Sequence, residues 1–149
     1  MTLEQLGDKY QTDKTLHHGY HHFYPRFLEP LRNEAFNMLE IGLGSFQGNT
    51  GNSPKLWKEY FPNANIYGAD VDKHVLFEEE RIKTYYCDQT NPTIISDMWN
   101  HPDLSEGFDI IVEDGLHTFE ANRCFFENSI HKLKKGGVYI IEDIDMKDI

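Results

Sequence analysis

Two apolar runs in this chain each close on a pair of carboxylates. Gly107-Phe108-Asp109-Ile110-Ile111-Val112-Glu113-Asp114 and Gly137-Val138-Tyr139-Ile140-Ile141-Glu142-Asp143 read as buried strands with acids at their carboxyl ends. Packing alone gives no reason for that arrangement, whereas the carboxyl edge of an open α/β sheet is where ligands bind. If the strand ending at Asp114 lies beside the one ending at Ile41, then Asp114, Glu142 and Asp143 converge at the ~5 Å spacing of adjacent strands. Such a set repels itself unless a cation sits among its members, and all-oxygen ligands suit Mg²⁺ or another hard divalent ion. The competing expectation is that Glu113 or Glu142 faces solvent and a single acid is functional. His117 follows Asp114 by three residues through Gly115, so one turn can bring both side chains to the same mouth. There an imidazole could take the proton of a hydroxyl made more acidic by the metal; the alternative is a surface histidine near a helix start.

A second chemical feature lies upstream. The run Phe36-Asn37-Met38-Leu39-Glu40-Ile41 leads directly into glycines at 42, 44 and 48, which reads as a buried strand opening into a loop of nucleoside or phosphate size. A chain reversing there needs positive φ, and a cofactor can approach a backbone that carries no Cβ. In a G-x-G-x-x-G dinucleotide fingerprint the third glycine would stand at position 47, but 47 is Gln. That favours S-adenosylmethionine over a nicotinamide cofactor. Asp70 ends the next strand, Ala64 to Asp70, at the distance expected of a ribose-binding carboxylate, with Asp72 as its competitor. The third strand, Arg81 to Asp88, also ends in an acid, and Asp88-Gln89 sits where a loop could meet an adenine edge.

These residues need a scaffold of alternating strands and helices, and the pattern supplies one. Ser53-Pro54 reads as an N-cap and first-turn proline ahead of a helix carrying Leu56, Trp57 and Phe61. Thr93 to Met98 is expected to be helical. Thr118 to Lys135 reads as one helix stopped by Gly136-Gly137, with the fifth strand following from Gly137 to Ile141. The expected fold is α/β, a Rossmann-like, doubly wound parallel sheet in three layers. Residues 36–149 form the cofactor-binding domain, and 1–35 form a helical cap of the same domain, with helices at Leu3 to Tyr10 and Phe23 to Leu31. Between them the histidines of His17-His18-Gly19-Tyr20-His21-His22 match no standard zinc spacing and suit a surface covering a neighbouring pocket.

Composition narrows the partners. A chain of 149 residues can carry one ordinary core. Its net charge of −11 argues against nucleic acid, which needs a basic face. No segment has the apolar length of a membrane span, and the N-terminus lacks a signal-peptide core, so a cytoplasmic protein with a small-molecule substrate is expected. Cys87 and Cys124 make neither a disulfide framework nor a zinc motif.

Taken together, Thr12-Asp13-Lys14, Leu39-Glu40-Ile41-Gly42-Leu43-Gly44, Trp57-Lys58-Glu59-Tyr60-Phe61-Pro62, Gly68-Ala69-Asp70, Asp88-Gln89, Asp114-Gly115-Leu116-His117 and Ile141-Glu142-Asp143 resemble the class I S-adenosylmethionine-dependent methyltransferases, specifically the metal-dependent macrolide sugar O-methyltransferases. The resemblance covers nearly the whole chain. It implies that Glu40, Gly42 and Gly44 belong to the cofactor-binding turn, that Asp70 holds the ribose hydroxyls, and that Asp88 and Gln89 lie near adenine. It also implies that Asp114, Glu142 and Asp143 ligate Mg²⁺, that His117 is the base, and that the acceptor is a hydroxyl of a sugar or similar diol. Glu113 and Leu116 depart from the pattern, which often has Asp and Ser there. The family fold continues beyond this point into a further helix and two strands, so the strand ending at Ile141 is expected either to pair through its open edge with a second copy or to belong to a fragment of a longer enzyme that is marginally stable and catalytically poor alone. Two other functions remain in view: a nicotinamide oxidoreductase on the same fold, and a non-catalytic cofactor-binding fragment or assembly module.

Overall fold

A computed structural model describes residues 1–12, 22–44 and 52–142. Among these, six strands form one sheet in the order β3-β4-β2-β1-β5-β6, with β1 at Asn37–Ile41, β2 at Asn65–Asp70, β3 at Glu78–Glu79, β4 at Ile82–Tyr86, β5 at Phe108–Glu113 and β6 at Leu133–Ile141. All pairings are parallel except that of β3, a two-residue strand lying antiparallel on the outer edge of β4. The chain winds outward from β1 through β2 to β4, then returns to place β5 on the other side of β1. The boundary between β1 and β5 is therefore the switch point at which such sheets open a ligand crevice.

Every residue of β1 is buried, as expected of a central parallel strand covered on both faces. Its alternation sorts the core into two halves. Met38, with Ile66, Ile110 and Val112, packs under α1 (Leu3–Tyr10), α2 (Pro25–Leu28) and α3 (Asn52–Tyr60), where Leu3, Leu6, Tyr24, Leu28, Trp57 and Phe61 complete the cluster. Leu39 and Ile41, with Ile111, face α4 (Pro92–Trp99) and α5 (Phe119–Glu127) through Ile95, Trp99 and Phe125. The result is the expected three-layer, doubly wound sheet.

Local chemistry explains the element ends. Thr2 and Gln5 form a reciprocal capping box on α1. Arg81, at φ 63°, donates to the carbonyls of Lys58, Phe61 and Ala64 and so satisfies acceptors left open at the end of α3.

Two expectations about helices need correction. Asn52 and Ser53 already lie within α3, so Ser53 is not the N-cap; Pro54 is accommodated because first-turn N–H groups have no intrahelical acceptor. The long helix expected from Thr118 to Lys135 ends at Glu127, where the Asn128 amide donates to the Cys124 carbonyl at 2.8 Å. A 3-10 turn at Ile130–Lys132 follows, and β6 begins at Leu133 rather than Gly137. The glycine pair is therefore inside the strand, where the pairing shifts from Phe108↔Leu133 to Ile110↔Val138 and Gly136 takes φ +83°. It marks an irregularity in the ladder instead of a helix stop. The expected histidine cluster from His17 to His21, together with Asp13, Lys14, Gly48 and Asp143, lies outside the described residues.

Candidate active site

Backbone hydrogen bonds bind the strand ends together at the switch point. The Asp114 N–H donates to the Ile41 carbonyl at 2.8 Å, the Glu142 N–H to the Glu113 carbonyl at 3.0 Å, and the Gly42 N–H to the Ala69 carbonyl at 2.8 Å. Register then selects the side chains. Glu40 lies opposite Val112, and Val112 opposite Ile140. Because side chains alternate along a strand, Glu40 shares the face of Met38, and Asp114 and Glu142 follow Val112 and Ile140 on that face.

One carboxylate oxygen from each of Glu40, Asp114 and Glu142 lies within 4.8 Å of the others. Glu40 and Glu142 are buried, and the Asp114 side chain is 16% exposed. The Tyr24 hydroxyl donates to Glu142 Oε1 from the N-terminal segment. Oxygens on opposite sides of an octahedral Mg²⁺ stand about 4.2 Å apart, twice the ~2.1 Å metal–oxygen distance, so small rotations would close this set around an ion. At an effective dielectric near 20, two ionised carboxylates 4.8 Å apart repel by roughly 3 kcal/mol. The donor set therefore fits a hard divalent cation. Of the three acids expected to ligate, Asp114 and Glu142 are brought together and Asp143 lies outside the described residues. Glu40, expected in the cofactor turn, supplies the third carboxylate. Its parity with Asp114 and Glu142 was the available signal, but parity is informative only once strand register is known.

His117 stands beside this group, with Nε2 3.7 Å from Asp114 Oδ1 and its side chain 42% exposed. Spacing and structure agree that the two share one mouth.

The glycine turn is more than an opening for a ligand. Gly42 has φ +95°, and a Cβ there would lie 1.9 Å from the Asp114 carbonyl oxygen. Its missing side chain lets β5 close against the turn. Gly44 also has positive φ, at 74°. Asp70 braces the same turn: Oδ2 accepts from the Leu43 N–H and Oδ1 from the Asp72 N–H, each at 2.8 Å. The competitor Asp72 caps a short 3-10 turn by accepting from the His74 N–H. Asp88 accepts from the Thr90 N–H and hydroxyl.

Gln89, expected at an adenine edge, is turned inward and only 4% exposed. Its amide is engaged by Glu113, Ala121 and Leu116. Glu113 likewise does not face solvent. It is buried on the opposite face from Glu40, and desolvation pushes its carboxyl up to about 7 despite hydrogen bonds from Tyr139 and Gln89.

No protein-family model matches the chain. Demethylmacrocin O-methyltransferase of Streptomyces fradiae is 35% identical to it over 95% of this chain and 36% of its own length. Mycinamicin VI 2''-O-methyltransferase of Micromonospora griseorubida is 31% identical over 95% of this chain and 36% of its own. A MycE methyltransferase structure from the mycinamycin biosynthetic pathway, in complex with Mg and SAH, superposes with a TM-score of 0.84 at 32% identity, covering 96% of this chain and 37% of that one. Over the part it spans, the chain is similar to these O-methyltransferases. It spans about 36% of the length of these curated relatives. The expected fold class is thus observed both in the strand order and in its likeness to a methyltransferase of known structure. None of the described helices is long and apolar enough to cross a membrane.

Proposed function

We propose that this chain binds S-adenosylmethionine and a divalent cation and supports methyl transfer to a hydroxyl of a sugar or similar small molecule. The observation that carries this function is the meeting of Glu40, Asp114 and Glu142 at the switch point, beside the glycine turn and His117. When bound, S-adenosylmethionine supplies an electrophilic methyl group and Mg²⁺ lowers the pKa of a coordinated hydroxyl.

The chain's own residues divide the remaining work. Gly42 and Gly44 shape the turn that receives the cofactor, and Asp70, already holding that turn, offers its remaining lone pairs to the ribose hydroxyls. Asp88 would meet the adenine side. Glu40, Asp114 and Glu142 hold the cation, with Asp143 as a further candidate. His117 takes the acceptor proton at the exposed mouth. Alignment and fixed charge then carry most of the acceleration. Residues 1–35 act as a cap of the same domain, contributing Tyr24 beside Glu142. As a biosynthetic enzyme the protein would work in the cytoplasm.

Calorimetry with S-adenosylhomocysteine and Mn²⁺, followed by methyl transfer to a panel of glycosides, tests the proposal. Binding of both ligands is expected, with NAD giving no heat. His117→Ala should keep both affinities and lose about 10²-fold or more in turnover. A chain that binds neither ligand, or a fully active His117→Ala variant, would count against it.

We also infer that β6, terminal in the sheet order among the described residues and partly buried from Val138 to Ile141, pairs with the same strand of a second copy. Sedimentation should give a dimer, and protection of the Tyr139 to Ile141 amides should fall on dilution. A monomer with full, concentration-independent protection at those amides would rule out this interface.

A further inference from the structure

Gln89 belongs by sequence to the loop after β4, on the proposed nucleoside side, but its side chain reaches across to the loop between β5 and α5. Its Oε1 accepts from the Leu116 N–H at 2.7 Å. Its Nε2 donates to Glu113 Oε1 at 3.1 Å and to the Ala121 carbonyl at 3.4 Å. Glu113 is itself held by the Tyr139 hydroxyl, which donates to Oε2 at 2.8 Å. One buried amide thereby links the end of β5, the first turn of α5 and, through Glu113, strand β6.

Gly115 shows how tightly the loop lies on this amide. A Cβ at that position would stand 1.8 Å from Gln89 Oε1, so with the amide in this place there is no room for a side chain at residue 115. Asp114 and His117 lie on either side of the gripped Gly115-Leu116 pair. Leu116 and His117 are exposed, so the Gln89 bond anchors an outward-facing turn from within. A buried amide with both ends engaged is costly to rearrange, because each released partner would be left without a hydrogen bond in a dry interior.

We propose that Gln89 is a positioning residue that fixes the Asp114–His117 turn over the metal side of the site, instead of contacting the nucleoside. This role rests on the methyltransferase function proposed above. It separates two outcomes that a ligand-contact role would reverse: loss of Gln89 should loosen metal binding and leave cofactor binding nearly intact.

The test measures Mn²⁺ and S-adenosylhomocysteine affinities by calorimetry in wild type, Gln89→Ala and the double exchange Gln89→Glu with Glu113→Gln. The exchange keeps one amide and one carboxylate in contact and keeps an acceptor for the Leu116 N–H. Gln89→Ala is expected to weaken Mn²⁺ about tenfold, the lower end for loss of a group orienting a metal ligand, with S-adenosylhomocysteine changed less than about threefold. The exchange should recover most of the Mn²⁺ affinity. Weakened S-adenosylhomocysteine with unchanged Mn²⁺ would overturn the proposal in favour of an adenine contact. Equal loss of both without recovery in the exchange would also overturn it, leaving only a folding role. A wild-type chain binding neither ligand would remove the methyltransferase function itself, and this role with it. Should Gln89→Ala not fold, hydrogen exchange in wild type decides: the Leu116 amide should be protected well beyond its exposed neighbours, and exchange at an open-loop rate would refute the strut.

Discussion

The carbonyl oxygen of Asp114 occupies the place where a side chain on Gly42 would begin, 1.9 Å from the ideal Cβ position. The turn after β1 and the end of β5 are consequently built as one unit. A glycine that would serve a cofactor loop also sets how closely a proposed metal ligand approaches.

Gly42→Ala should therefore damage more than the turn. With φ at +95° and a backbone atom in the way, the new methyl cannot be absorbed by a side-chain rotation. A loss of about 3 kcal/mol in urea unfolding is expected, at the upper end of ordinary single substitutions. Weaker Mn²⁺ binding should accompany it. A variant of wild-type stability would show that the two loops are not held at this separation.

Asp70 is predicted to act on both loop and ligand. Asp70→Ala removes acceptors for the Leu43 and Asp72 N–H groups. S-adenosylhomocysteine binding should weaken by about 1.5 to 3 kcal/mol, the range for hydrogen bonds to a charged group. Asp70→Asn, which keeps an oxygen acceptor, should lose less. Calorimetry giving unchanged affinity in the alanine variant would separate this residue from the ribose.

Glu40 provides a sharp test of the metal set. Glu40→Gln and Asp114→Asn should each reduce Mn²⁺ affinity by about tenfold or more, since losing a ligand should cost at least as much as losing a residue that orients one. Mn²⁺ should also raise the melting temperature of wild type more than that of either variant, because the ion neutralises mutual repulsion in the folded state. A Glu40→Gln protein that titrates like wild type would return the site to Asp114, Glu142 and Asp143 alone.

Glu113 predicts a particular pH dependence. Burial raises its folded pKa from an ordinary 4.5 to about 7. Between those values the folded chain keeps a proton that the unfolded chain has released, so this group makes stability fall as pH rises across the window. Below the window both states are protonated, and above it both are ionised with the full cost present, about 3 kcal/mol at 1.36 kcal/mol per pKa unit. Urea unfolding should show Glu113→Gln gaining on wild type by about that amount between pH 4.5 and pH 8. Parallel pH profiles would mean that Glu113 is not desolvated in the fold.

The alternation of apolar runs with helical stripes was enough to predict a doubly wound sheet, because period and length are local properties of the chain. The same holds for Asp114 and His117, whose three-residue spacing through Gly115 already confined them to one turn. Features that depend on contacts between distant segments were not legible in this way. Gly136-Gly137 has the composition of a helix stop, but Asn128 ends the helix earlier and pairing with β5 draws the glycines into β6. That Glu40 also stands beside Glu142 depends on register through β5, and register is set by the packing of whole strands. The inward direction of the Gln89 side chain is likewise invisible in its position on the loop after β4. Burial decides that direction: beneath Gly115 its amide meets a backbone donor, a carboxylate and a carbonyl that together satisfy it.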